Sequence, residues 1–60
     1  MADRELRVNE RIGTFIQHRY TGSTGTIAYK TDTGYLIDWI TNGENRFLPY
    51  SKVNDYVVIQ

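Results

Sequence analysis

The stretch YTGSTGTIAYK, residues 20–30, decides how the rest of the chain is read. Gly22 and Gly25 stand three apart among hydroxyl residues. Such a run can wrap a phosphate, or it can be the corner between two strands. A phosphate-binding loop needs Gly-Lys-Ser/Thr opening a helix, so that backbone amides and the lysine meet the anion together. Here Gly25 leads into Thr26-Ile27-Ala28-Tyr29, and the first lysine is Lys30. Without a helix N-terminus an anion site loses most of its field. The glycines are therefore expected to supply positive φ or bulge geometry where one strand gives way to the next.

Outward from that corner the chain reads as short strands cut by turn residues. RIGTFIQ (11–17) precedes the corner and GTIAYKT (25–31) follows it. TDTG (31–34) is a tight polar turn, and YLIDWIT (35–41) is the best strand. NGEN (42–45) opens on Asn42-Gly43, the strongest short hairpin signal. NRFL (45–48) is a brief strand stopped by Pro49, which has no N–H for a ladder. PYSKVND (49–55) suits one helical or 3₁₀ turn, and YVVIQ (56–60) closes the chain. Helix signals are weak, since Leu6, Val8 and Ile12 keep no 3.6 period. Five short strands with small gaps predict an all-β meander, and closing it into a barrel would remove exposed edges.

Strand alternation assigns the faces. Burying Asp38 unpaired would cost several kcal/mol, so Ile37 and Trp39 are predicted to face the core. Ile27, Tyr29, Ile12, Ile16, Phe47, Val53 and Val58 are expected to join them. Leu36 and Ile40 then fall on the outer face beside Asp38. Either the N-terminal segment covers them through Leu6 and Val8, or they form a partner or self-association surface.

Sixty residues make one domain. A chain so short buries only ~60% of its unfolded surface. It has no cysteine, so neither a disulfide nor a thiolate metal site can staple it. Five Tyr, two Phe and one Trp offer an aromatic core instead. The absence of cysteine fits a cytoplasmic location. The longest apolar runs, such as YLI and VVI, are far too short to span a bilayer. MADRELRVNE mixes charge signs without an apolar stretch, unlike a secretory signal. The opening Met suggests a free-standing small protein, with residues 1–7 as an extension, possibly without order, ahead of a domain over residues 8–60.

Seven basic and seven acidic residues give a formal net charge of zero, which argues against a dedicated nucleic-acid binder. The charge is uneven, however. Residues 11–31 hold Arg11, His18, Arg19 and Lys30 with no acid, while residues 32–44 hold Asp32, Asp38 and Glu44 with no base. Chance clumping of few charges accounts for this equally well.

The residues NERIGTFI, YTGSTGTIAY, GYLIDW, RFLP, YSKV and YVVI, in that order, resemble the strands, corner and short helical turn of a small Src-homology-3-like barrel, especially the KOW and Tudor type. The resemblance covers about residues 8–60. It implies a five-stranded barrel with a short 3₁₀ turn before the last strand, and a partner in transcription or translation machinery. Such barrels host many unrelated functions. The arrangement is also similar to the small barrel subunit of photosystem I and to the type II dihydrofolate reductase family, whose pore strand carries Gln-Ile-Tyr-Pro. Here that position reads Arg46-Phe47-Leu48-Pro49, and only the proline matches.

Catalytic and metal chemistry find little footing. One His and no Cys leave carboxylates as the only other charged ligands, with no Asp-x-Asp spacing. Ser23 and Ser51 pair with His18 only by assumption. No catalytic residue, metal ligand or cofactor is expected. What remains is cations beside rings: Arg19-Tyr20, Tyr29-Lys30, Arg46-Phe47, and Tyr50 near Lys52. Neighbours on a strand face opposite ways, so only loop pairs such as Arg19-Tyr20 can cooperate. Two binding modes follow. A non-enzymatic adaptor or regulator of a bacterium or phage would bind a protein through Arg19, Tyr20 and Tyr50, with Leu36 and Ile40. Alternatively the barrel would bind DNA or RNA through Arg11, His18, Arg19, Lys30, Arg46 and Lys52.

Overall fold

The computed structural model describes residues 4–40 and 45–59. The turn expected at Asn42-Gly43 lies outside them. Six strands form one sheet: β1 (Arg4–Glu5), β2 (Phe15–His18), β3 (Thr24–Lys30), β4 (Gly34–Trp39), β5 (Phe47–Pro49) and β6 (Tyr56–Val58). A 3₁₀ helix, Tyr50–Asp55, stands directly before β6. Every neighbouring pair is antiparallel, in the order β1-β6-β2-β3-β4-β5.

The chain is thus all-β with the 3₁₀ turn where the sequence predicts it, but two expectations are corrected. The strands number six, because Arg4–Glu5 adds one beside β6. The sheet is not closed, and β1 and β5 remain as its edges. The 3₁₀ helix touches β4, β5 and β6, so it lies across the opening.

The corner at residues 19–23 is scaffolding. The His18 N–H donates to the Ser23 carbonyl at 2.8 Å, and the Gly22 N–H returns a bond to the His18 carbonyl at 3.0 Å. Gly22 has φ of 80°, which side chains seldom adopt. Gly25 serves differently. It lies inside β3, and a Cβ there would sit 2.8 Å from the Trp39 ring and 2.9 Å from the Asp38 carbonyl. Its missing side chain lets Trp39 lie against the strand.

One face of the sheet holds the core: Leu6, Ile16, Ile27, Tyr35, Ile37, Leu48, Val53 and Val58 are all buried. Trp39 packs against this cluster and is half-buried, its Nε1–H donating to the Asn45 carbonyl at 2.8 Å. Three predicted core residues are outside instead. Tyr29 is exposed because the β3–β4 register shifts between Ile27 and Tyr29, turning Tyr29 to the outer face opposite Leu36. Phe47 also pairs with Leu36, so Leu48 takes the inner position. Ile12 is exposed, and the left-handed Gly13 that follows it, φ 93°, breaks the alternation counted back from Ile16.

Residues 4 to 7 are tied to the domain. Leu6 is 3% exposed within the core cluster, and Val8 is exposed. The N-terminal segment therefore packs on the core face and does not cover Leu36 and Ile40. What holds it there is a polar knot around Tyr35, itself 0% exposed. The Tyr35 hydroxyl donates to the Arg7 carbonyl at 2.6 Å and accepts from the Glu10 N–H at 3.0 Å. The buried Glu10 carboxylate accepts a two-pronged pair from Arg4 at 2.7 and 2.8 Å and the Arg7 N–H at 3.0 Å. Such planar, doubled contacts are the stronger kind of charged hydrogen bond.

Two outcomes follow. Gly25→Ala should lower stability by about 1–3 kcal/mol through overpacking against Trp39 and the Asp38 backbone; a urea midpoint equal to wild type would refute the close-approach role. Hydrogen bonding from Arg4, aided by the Arg7 amide and nearby positive charge, outweighs burial and holds the Glu10 carboxyl below its ordinary value of 4.5. A carboxyl depressed in the folded chain contributes stability above its unfolded pKa and loses it as pH falls through the folded one. Urea midpoints should fall as pH drops below 4.5, and Glu10→Gln should flatten that acid limb.

Candidate binding surface

The outer face of β2–β5 carries the surface feature that stands out most. Along β4, Leu36 and Asp38 point away from the core, and the alternation continues to Ile40, whose N–H donates to the Thr24 carbonyl at 2.9 Å. Tyr29 and Phe47 flank Leu36 on either side. Thr26 lies beside Asp38, with Phe15 beyond it. Phe15, Tyr29 and Ile40 are 51%, 58% and 66% exposed, and Leu36 and Phe47 are 36% and 38% exposed. Five large apolar side chains therefore share one sheet face. Between Leu36 and Ile40 on the same strand stands one carboxylate, Asp38, which is exposed and has no ion-pair partner among the described residues.

The corner residues and Tyr50 are mostly engaged. The Arg19 Nε–H donates to the Asn54 carbonyl at 2.7 Å, and its guanidinium meets Glu5 at 3.2 Å. Arg19 thus ties the corner to the end of the 3₁₀ helix and to β1. Tyr50 is half-buried, donates its hydroxyl to the Thr31 carbonyl at 2.7 Å and sets its ring edge-on to Tyr35. His18 Nδ1 accepts from the Tyr20 and Thr21 N–H groups at 3.1 and 3.3 Å, which makes it a brace of the turn. Tyr20 is the open member, largely exposed and edge-on to the His18 ring. Of the residues considered for a protein partner, Leu36 and Ile40 share the outer face of β4, Arg19 and Tyr50 are held by hydrogen bonds of their own, and Tyr20 is exposed at the corner.

The candidate nucleic-acid residues are dispersed. Arg19 and His18 sit at the β2–β3 corner, while Lys30 ends β3 about 20 Å away by strand length. The Lys30 ammonium donates to the Asn9 side chain at 3.3 Å. Arg11 and Arg46 are exposed, and Lys52 is exposed on the 3₁₀ helix. Lys52 also lines a shallow groove of about 330 Å³ along β5, with Asn45, Phe47, Leu48, Pro49 and Tyr56. Tyr56 links the groove to the corner by ring contacts, 4.7 Å from His18 and 6.0 Å from Trp39. No cluster of three His, Cys, Asp or Glu side chains occurs among the described residues. No helix among them is long and apolar enough to cross a membrane.

Compared in turn with models of protein families, with curated proteins and with solved structures, the chain finds no match.

Sequence reasoning located Leu36, Ile40 and Asp38 on the outer face, but missed Phe15, Tyr29 and Phe47. The face of Tyr29 depends on the bulge at Ala28, an ordinary strand residue with no turn signature, and Phe47 next to Leu48 offers an apolar side chain to either face. Arg19→Ala should cost about 1–2 kcal/mol, since it removes a charged donor from a backbone carbonyl. Arg46→Ala should stay within about 0.5 kcal/mol as an ordinary surface change. Equal denaturation midpoints for the two variants would contradict the bracing role given to Arg19.

Proposed function

We propose that the protein is a non-enzymatic binding module whose partner is another protein, docked on the outer face of β2–β5. The observation that carries this reading is the row Tyr29–Leu36–Phe47 with Phe15 and Ile40 beside it, all on one face of the sheet. The largest apolar patch on a protein's surface is often its interaction site. Aromatic side chains are the usual anchors of protein interfaces. Direct nucleic-acid binding has less support. Arg19 and Lys30 stand at opposite ends of β3, and Arg19 is engaged in bracing the corner.

The sheet is, on this proposal, an opened small barrel of the Src-homology-3-like kind, KOW or Tudor in type. Supporting it are the 3₁₀ helix directly ahead of the last strand and the ladder that returns that strand to β2. The analogy extends to a cytoplasmic adaptor or regulator acting on transcription or translation machinery.

The immobilised chain tests this when used to capture partners from its host. A Leu36→Ser/Ile40→Ser variant should lose the captured protein, because both changes lie on the exposed face and leave the core intact. An Arg11→Ala/Arg46→Ala variant should keep it. The opposite result, with capture abolished by nuclease, would replace the protein partner with nucleic acid.

A further inference from the structure

Among the large apolar side chains of the outer face stands one carboxylate, and that carboxylate sorts the face's occupants. Asp38 stands between Leu36 and Ile40 on β4, with Thr26 beside it and Phe15 one strand further. A partner docked on Leu36 and Ile40 would take water from the Asp38 carboxylate. Leu6 of the N-terminal segment lies on the core face, away from it.

A second copy of the chain is a poor occupant. A two-fold pairing centred on this patch would set Asp38 against its own copy. Two like charges would then be desolvated together, at a cost of several kcal/mol. A wholly apolar occupant fares no better, because it would strip water from the carboxylate and return nothing.

We infer that the occupant is a protein segment presenting a lysine or arginine flanked by apolar side chains, with the cation seated on Asp38 and the apolar residues on Leu36, Ile40 and the rings of Phe15, Tyr29 and Phe47. This deepens the protein-binding reading above and rests on it. The charged pair sits between the apolar contacts of Leu36 and Ile40, a setting in which a charged contact contributes specificity and slows dissociation. The apolar rows contribute affinity without selecting a sequence, and Asp38 does the selecting.

Selection from a displayed random-peptide library tests this, run in parallel on the wild-type chain, on Asp38→Asn and on Leu36→Ser/Ile40→Ser. Near-ultraviolet circular dichroism of the aromatic residues confirms that each variant is folded. The wild type should enrich peptides with a basic residue between apolar ones. Asp38→Asn should still enrich apolar peptides but without the basic preference, and should bind the wild-type winners about tenfold more weakly. The Leu36→Ser/Ile40→Ser chain should enrich nothing in common with the wild type. A basic motif that persists on Asp38→Asn, or a wild-type motif without a cation, overturns the seating on Asp38 while leaving the docking face standing. Identical peptides on the Leu36→Ser/Ile40→Ser chain, or no enrichment by the wild type, overturns the docking face itself. Sedimentation of the wild type should show a monomer. A dimer that Asp38→Asn tightens would make the second copy the occupant and overturn the proposal.

Discussion

A tyrosine hydroxyl in the middle of a hydrophobic core cannot be left without partners, and much of this small fold is organised around meeting that need. Tyr35 is fully enclosed, and its hydroxyl is satisfied by the backbone of Arg7 and Glu10. Those partners come from a stretch with no regular structure of its own. The chain around Glu10 must therefore fold back over β4, and once it does, the Glu10 carboxylate is buried and must be answered in turn. Arg4 and the Arg7 amide answer it. The same loop carries Leu6 into the core and lays Arg4–Glu5 against β6 as a sixth strand. A chain of 60 residues without cysteine has few other ways to fasten its N-terminal segment.

That fastening bears on function by deciding which face is left open. Because Leu6 goes inward, it does not shield Leu36 and Ile40, which stay exposed among the described residues. The edges of the sheet, by contrast, are blunted. β1 has two residues, and β5 ends on a proline and has its Phe47 N–H taken by the Asn45 side chain at 3.1 Å. Edge-to-edge pairing with another chain is thereby discouraged. An exposed apolar face between two guarded edges favours docking by side chains over extension of the sheet.

The all-β character, the turns and the 3₁₀ helix were legible because they rest on local chemistry: β-branched runs, Gly22, the Thr31–Gly34 turn and Pro49. Ile37 and Asp38 were legible too, since burying one and exposing the other follows from a single alternation. The faces of Tyr29 and Phe47 were not. A bulge of one residue inverts everything after it, and Phe47-Leu48 offers an apolar side chain to either face. The six strands in place of five, and the open sheet, depend on long-range pairing of β1 with β6, which no local pattern announces. Glu10 was passed over because a lone glutamate between Asn9 and Arg11 looks like solvated surface. Only the distant Tyr35 makes it structural.

The central claim is that the Tyr35 knot closes the N-terminal segment onto the core as part of the folded unit. Amide hydrogen exchange at Glu10, whose N–H donates only into the buried hydroxyl, measures this directly. If the knot holds, the Glu10 amide exchanges as slowly as those of Ile27 and Ile37 and is released only by global unfolding. Exchange at the rate of an open loop, with β3 and β4 still protected, would show that the segment detaches freely and that the fold does not depend on it.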